Sequence, residues 1–396
     1  MRVRVTQGAL YLALKHVAAA VAAKPLLSVL SGIRLHAGGD GLVLTAANEV
    51  SRLQYQIPAE DPALAILEPG EAVVPALRFT GLIRYLEDGM VTLETDGKGT
   101  LQIDSSGTVC KLILAAPASD FPPDIRPADC AELRIPNREL KRMVKQVGFA
   151  ADSSEARMVL TGILCRIVGR RICLTATDGI RLAFSSGELE SSPANDFPPG
   201  VVPAKPITDY VRKLADSGTT NITMGRGTIE LESERFSIQS SLLAGAYPYV
   251  DGLKPEASPY CVRVAAPSLL RAVERAALLS GDRHVVTMRV GLEGIELSAV
   301  CAQAGGVLEV LPCGENGAGC SVLPFAVSFD SRYLREILLY IGSGKVQLSF
   351  TAPDRPMVVE PADRGQEAQA YYYLLTPVRT AQSLPDTGAS AIKSSV

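Results

Sequence analysis

The sequence has no tryptophan, only three histidines and 5% aromatic residues. The histidines, His16, His36 and His284, lie near no cysteine in a metal-ligand pattern, and no two of the eight cysteines are spaced CxxC. That excludes the common structural zinc arrangements and leaves scattered thiols suited to a reducing compartment. No apolar run approaches the ~20 residues that a membrane span needs. The opening MRVRVTQGALYLALKH lacks a signal peptide's order of basic region, apolar core and small-residue cleavage site. A cytoplasmic protein is the expectation. Also missing are a Gly-rich phosphate loop, HExxH and GxSxG. Asp178, in the string ATDG, has no partner carboxylate and reads as a turn or cap residue rather than a catalytic acid. The expectation is therefore a non-enzyme with no cofactor and no metal.

What is present points to a multidomain globular chain. Its 396 residues are too many for one core, 47% are hydrophobic, 20% are charged, and the net charge is −3. Three segments read alike: VVPALRFTGLIRYLEDGMVTLETDGKGTLQI from Val73, VVPAKPITDYVRKLADSGTTNITMGRGTIEL from Val201, and AVSFDSRYLREILLYIGSGKVQLSF from Ala326. They begin 128 and then 125 residues apart. Each runs from a strand end into a helix of about three turns, a glycine-containing stop and β-patterned strands. Other landmarks keep the period. Leu44–Asn48 (LTAAN) returns at Leu174–Asp178 (LTATD) and at Leu297–Cys301 (LSAVC), and Asp120–Pro123 (DFPP) returns at Ala246–Tyr249 (AYPY). An opening helix recurs at residues 7–22, 137–147 and 267–279, and a second at 75–86, 205–214 and 331–341. Agreement in order and spacing predicts three α+β domains, each with two helices packed on antiparallel sheets. The expected boundaries are 1–127, 128–255 and 256–380, in Pro-rich stretches near Arg126–Ala128 and Lys254–Ser258. A small, polar tail over 381–396 is expected to be disordered.

Charge is distributed by element. The six predicted helices carry fourteen Lys and Arg against four Asp and Glu, whereas the rest of the chain is acidic by thirteen. On helix 137–147, Arg138, Lys141, Arg142 and Lys145 share one face, and Leu140, Val144 and Val147 form the opposite stripe. Lys and Arg also suit an ordinary solvated helix face. If the helices turn one way, however, they make a basic surface that attracts phosphates without reading bases.

These strings, with ATDGIRLA at Ala176–Ala183, ASDFPP at Ala118–Pro123, YPYVDGLKP at Tyr247–Pro255 and YYYLLTPVR at Tyr371–Arg379, resemble the bacterial DNA sliding clamp, the DNA polymerase III beta subunit, over residues 1–380. The resemblance implies three domains of the DNA-clamp fold in a head-to-tail homodimeric ring around double-stranded DNA. It implies a processivity factor for the replicative polymerase, with the polymerase, the clamp loader and other motif-bearing proteins as partners. It also implies a groove for their peptide motifs, at Leu160, Thr177, Gly179, Ile180, Arg181, Leu182, Pro248, Leu253, Pro356, Leu374, Thr376 and Arg379. The candidate DNA-contact residues are Lys24, Arg78, Arg138, Lys141, Arg142, Lys145, Ser154 and Lys205, and the candidate dimer-interface residues are Thr108, Cys110, Leu278 and Leu279. The chain departs from the family at several places. Thr108, Val109 and Cys110 stand where basic residues are common, and the run from Cys301 to Gly306 stands where acids are common. Met158 and Val159 replace tyrosines, Ile180 a histidine and Thr376 a methionine. These departures keep open a divergent secondary clamp copy, and the fold alone would also suit a scaffold that does not bind DNA.

Overall fold

The structure is a computed structural model that describes residues 1–22, 26–123, 130–189, 199–291, 294–312, 325–342, 344–362 and 370–379. Lys24, the expected boundary at Arg126–Ala128 and the expected tail at 381–396 lie outside the described residues. The six predicted helices all form: α1 (Gln7–Val17), α2 (Ala76–Tyr85), α3 (Asn137–Val147), α4 (Ala204–Lys213), α5 (Ala266–Leu278) and α6 (Ser331–Ile341).

Local chemistry sets their ends. The Thr6 hydroxyl accepts from the Ala9 amide at the start of α1, and the Asp330 carboxylate accepts from the Arg332 amide at the start of α6. Helix α6 stops at Gly342, whose positive φ of 78° suits glycine. The first helix was expected to reach residue 22, but it ends at Val17 and tightens into a 3-10 turn over Ala18–Ala20. The reason is tertiary. Lys213 Nζ donates to the Lys15 and His16 carbonyls at 2.8 and 2.9 Å, which satisfies carbonyls of the helix's last turn from outside. Leu140, Val144 and Val147 of α3 are buried as the pattern predicts, joined by Met143.

The chain divides into two compact units. The first comprises Met1–Val144, Gly162–Ile172 and Glu188–Gly245. It holds a five-stranded sheet in the order Leu64–Glu68, Arg2–Thr6, Met90–Thr95, Thr100–Ser105, Thr108–Ile113. It also holds an eight-stranded sheet in the order Ala131–Pro136, Thr219–Met224, Thr228–Ser233, Phe236–Ser241, Ser51–Pro58, Gly41–Ala47, Gly32–Gly38, Gly70–Pro75. This second sheet runs unbroken from the first repeat into the second, because Phe236–Ser241 pairs with Ser51–Pro58 in the register Tyr55 with Phe236 and Leu53 with Ile238. His16 of α1 packs over that junction, its ring centroid 4.6 Å from Tyr55 and 4.9 Å from Phe236. The glycine-rich turn anticipated at Gly38–Gly41 forms a tight hairpin. Gly41 sits at φ 125°, where an added Cβ would fall 2.1 Å from the Ile57 carbonyl oxygen. Helices α1 and α2 pack on each other in this unit, with Leu10, Leu14, Val17, Phe79 and Ile83 buried beneath them.

The second unit comprises Lys145–Thr161, Cys173–Gly187 and the chain from Ala246 onward. In it, strands Arg181–Glu188, Tyr371–Leu375, Met357–Pro361, Lys345–Phe350 and Tyr260–Ala265 lie side by side in that order. A four-stranded sheet follows the order Gly305–Pro312, Gly294–Cys301, Val285–Gly291, Phe325–Asp330. Helices α5 and α6 pack together over buried Leu269, Val273, Leu334, Ile337 and Leu338. The ladders described here are antiparallel, as the tight turns predicted.

Candidate peptide groove and nucleic-acid interface

The residues expected to form a groove all belong to the second unit. Antiparallel pairing of Arg181–Glu188 with Tyr371–Leu375 sets Arg181 opposite Leu375 and Leu182 opposite Leu374. The Thr376 amide continues that pairing by donating to the Ile180 carbonyl at 2.9 Å. The string ATDGIR is a closed turn. The Thr177 hydroxyl donates to the Arg181 carbonyl at 2.6 Å and accepts from the Gly179 amide at 3.0 Å. One Asp178 oxygen accepts from the Ile180 and Arg181 amides, at 2.9 Å each. Asp178 is thus the turn residue that the sequence suggested.

Arg181 is the strut of the site. It is buried, and its guanidinium donates to Asp178 Oδ2 at 3.0 Å, to the Phe149 carbonyl at 2.9 Å and to Glu336. It lies over the rings of Tyr333 and Phe149, 4.7 and 5.1 Å from their centroids. Phe149 in turn stacks on Tyr340 at 4.2 Å. A cavity of about 360 Å³ opens beside this strut, lined among others by Ser154, Arg157, Asp178, Ile180 and Tyr333. Around it, Leu160, Leu182 and Leu374 are buried, Ile180 and Leu253 are about half exposed, Pro356 is half-buried, and Pro248, Thr376 and Arg379 are exposed. The Pro248 segment is tied in by Tyr247, whose hydroxyl donates to the Thr175 carbonyl at 3.4 Å and whose burial pushes its phenol pKa up. The Leu253 segment is tied in by Lys254, which pairs with Glu360 at 2.9 Å and lies over the Tyr372 ring.

Four contributors went unread in the sequence: Phe149, Arg157, Tyr333 and Glu336. Arg157 donates to the Asp178 carbonyl at 2.6 Å and to Asp152 at 3.1 Å. Their signal is the fold itself, because Phe149, Tyr333 and Glu336 reach Arg181, and Arg157 reaches Asp178, from segments remote in sequence. Gly179 sits at φ 90°, and an added Cβ would meet Arg157 Nη1 at 2.9 Å. A Gly179→Ala variant is expected to lose about 1–2 kcal/mol of stability from left-handed strain and displacement of Arg157. Chemical denaturation, compared with Gly97→Ala in an open turn, measures the part owed to Arg157.

The basic helix residues separate into two groups. Lys141 pairs with Asp216, Arg142 with Glu139, Lys205 with Asp209 at 3.2 Å, Arg332 with Asp330 at 2.7 Å, Arg335 with Glu274 at 2.9 Å, and Arg275 with Glu309. Among the described residues, Lys15, Arg78, Arg84, Arg138, Lys145 and Arg271 have no carboxylate partner, and all six are exposed. Of the expected DNA-contact residues, Arg78, Arg138 and Lys145 thus make no ion pair among the described residues, although the Lys141 hydrogen bond and, to a lesser degree, the Arg138 charge hold the Asp216 carboxyl below its ordinary pKa. Lys141, Arg142 and Lys205 are already neutralised within the chain, and Ser154 is exposed at the cavity beside Arg181. Lys15, Arg84 and Arg271 join the first group, although only their share in the helix charge count marked them.

The expected interface residues lie at sheet edges and a helix end. Thr108 and Cys110 sit on Thr108–Ile113, an edge strand in the first unit, with Val109 and Ile113 exposed beside them. In the second unit, Gly305–Pro312 is an edge strand that exposes Leu308 and Val310. Leu278, at the end of α5, is exposed, and Leu279 is half-buried.

Repeated pairs of helices on antiparallel sheets define a clamp-type fold. The chain belongs to the DNA polymerase III beta subunit family, the bacterial sliding clamps: the family's N-terminal, central and C-terminal domain models match residues 1–123, 134–249 and 253–376 in turn. Curated relatives include the beta sliding clamps of Bacillus subtilis (strain 168) and Staphylococcus epidermidis (strain RP62A). Each is 26% identical over 369 residues, or 91% of this chain, covering 95% and 94% of the relative. Among solved structures, the Bacillus subtilis DNA polymerase sliding clamp superimposes with a TM-score of 0.89 at 25% identity, over 96% of this chain and 99% of that one. The Streptococcus pyogenes beta subunit gives 0.88 at 25% identity, over 96% of this chain and 100% of that one. No described helix is long and apolar enough to cross a membrane.

Proposed function

We propose that two copies of this chain close head to tail into a ring around duplex DNA, and that the ring tethers a replicative polymerase and other motif-bearing proteins through the Arg181 groove. Its domains are then 1–127, 128–255 and 256–380, and its work is mechanical, cytoplasmic and without catalysis of its own. The observation that carries this reading is the pair of strands that, among the described residues, stand at sheet edges, Thr108–Ile113 and Gly305–Pro312, each with exposed apolar side chains and each in a different unit. An unpaired edge invites another strand. Two unlike edges on one chain make a heterologous contact, which closes into a ring when the rotation allows. Family membership supports the same reading, as do the described cations outside ion pairs on α1, α2, α3 and α5.

Retention on circular against linearised DNA tests it. A ring stays on the circle and slides off the cut molecule, whereas equal retention on both would sink the topological reading. A second measurement tests the lining. Replacing Arg78, Arg138 and Lys145 together by alanine is expected to shorten retention at every DNA sequence and to flatten its salt dependence by about three counterions per protomer. The same loss after replacing only Lys205 and Lys141 would assign the contact to the already paired residues instead.

A further inference from the structure

The internal repeat that builds the Arg181 groove also builds a cleft at the corresponding place in the first unit. Strand end Ala47-Asn48 answers Thr177-Asp178, and the turn that follows is closed in the same way, so that Ser51 holds the place of Arg181 and Arg52 that of Leu182. Leu30 closes a 3-10 turn before Gly32 as Leu160 does before Gly162. Pro122 follows Phe121 as Pro248 follows Tyr247, and Phe236–Ser241 lies beside Ser51–Pro58 as Tyr371–Leu375 lies beside Arg181–Glu188. A cavity of about 350 Å³ occupies this place. Its floor is firm, because Leu30 and Ala47 belong to a buried cluster with Val29, Val73 and Phe121. Its lip is apolar and open to water, with Leu26, Leu27 and Val50 exposed by 87%, 56% and 41%.

The polar groups differ from those of the second unit. The Arg52 guanidinium is held by the Pro122 and Pro123 carbonyls at 2.6 and 2.9 Å and lies over the Phe121 ring, 5.8 Å from its centroid. Glu49 stands in the turn where the second repeat has Gly179-Ile180. Its carboxylate is exposed and accepts only the Leu26 amide, at 3.2 Å; among the described residues no Lys or Arg pairs with it. An apolar floor of this volume accepts one or two large side chains. An unpaired carboxylate at its rim selects a cation beside them.

We propose that this cleft is a second docking site, for a short extended peptide that carries a leucine or phenylalanine anchor next to a lysine or arginine. The anchor enters over Leu30 and Ala47, the lip of Leu27 and Val50 folds along its side, and the basic residue pairs with Glu49. The site is independent of peptide binding at Arg181.

The test uses the full chain and a fluorescein-labelled hexapeptide, Gln-Leu-Lys-Leu-Phe-Lys, read by fluorescence anisotropy. Saturable binding is expected, and it should persist in Ile180→Asp, which sets a carboxylate on an apolar wall of the other groove. Glu49→Lys should weaken it by about tenfold or more, and Leu27→Asp should abolish it; both positions are exposed, so the fold survives, with circular dichroism as the control. Absence of saturable binding, equal affinity in all variants, or loss in Ile180→Asp alone would overturn the proposal. Tighter binding after removal of residues 380–396 would overturn it in favour of the chain's own end as occupant. Loss of binding as the protein is concentrated would overturn it in favour of a second copy.

Discussion

If the proposed ring forms, Ile113→Asp is expected to leave the protein monomeric at micromolar concentrations that hold the unsubstituted chain as a dimer, and Leu308→Asp to do the same. Ile113 is 78% exposed at the end of the edge strand Thr108–Ile113, and Leu308 is 56% exposed on the edge strand Gly305–Pro312. Alternation puts Val109 and Ile113 on one face of the first strand, and Leu308 and Val310 on one face of the second. Joined edge to edge, they would bury four aliphatic side chains. Each costs ~1.5–3 kcal/mol to leave in water, and a carboxylate in their place adds a desolvation cost. A ring of two has two identical seams, so one substitution acts twice. The dimer dissociation constant should rise by more than about 100-fold, equivalent to at least ~2.7 kcal/mol. Sedimentation velocity across a dilution series measures it.

The same seam predicts an unusual indifference to salt. The two strands carry one charge each, Lys111 and Glu309, and Glu309 is already paired with Arg275. Raising ionic strength to 1 M shortens the screening length to ~3 Å and weakens exposed ion pairs, but it leaves apolar burial intact. A dimer that falls apart between 0.1 and 1 M salt would refute a seam held by its aliphatic residues.

Arg181→Ala is expected to abolish peptide binding at the groove and to lower stability by about 3–5 kcal/mol, the range for removing one partner of a buried ion pair. The guanidinium joins the turn at Asp178, the Phe149 carbonyl and Glu336 of α6, with Tyr333 and Phe149 against its plane. Among the described residues, no other side chain reaches all of them. Arg181→Lys should recover little, because one ammonium cannot serve a planar fork between two rings. Glu336→Gln is the milder comparison: Glu336 is the more exposed partner, and Asp178 and Phe149 still hold the arginine. Calorimetry and peptide anisotropy on the three variants separate the strut from its outermost contact. Equal stability of Arg181→Ala and Glu336→Gln would mean that Arg181 is not the strut.

Much of this was legible before the fold. The VPA strings at Val74–Ala76 and Val202–Ala204 end strands and start helices where the structure has them. Helix bounds followed because their determinants are local: caps, apolar spacing and glycine stops. Helix α1 was overextended because its end is set by Lys213, almost 200 residues away in the chain. The charge count found the basic helices but not which cations are neutralised. Asp216 and Glu309 lie outside the helices they neutralise, so helix-by-helix bookkeeping misses them. The Arg181 turn was recognisable as a string, while Phe149, Tyr333 and Glu336 were not, since they meet only when three segments fold together.

The eight-stranded sheet that crosses from the first repeat to the second has a consequence for synthesis. Strand Ser51–Pro58 leaves a ribosome early, but its neighbour Phe236–Ser241 follows almost 180 residues later. Until then the nascent first repeat presents an open hydrogen-bonding row with Leu53 and Tyr55 beside it. Such a row pairs with any strand at hand. The first repeat thus cannot complete its fold on its own schedule, and its period of exposure on the ribosome is written into the order of the strands.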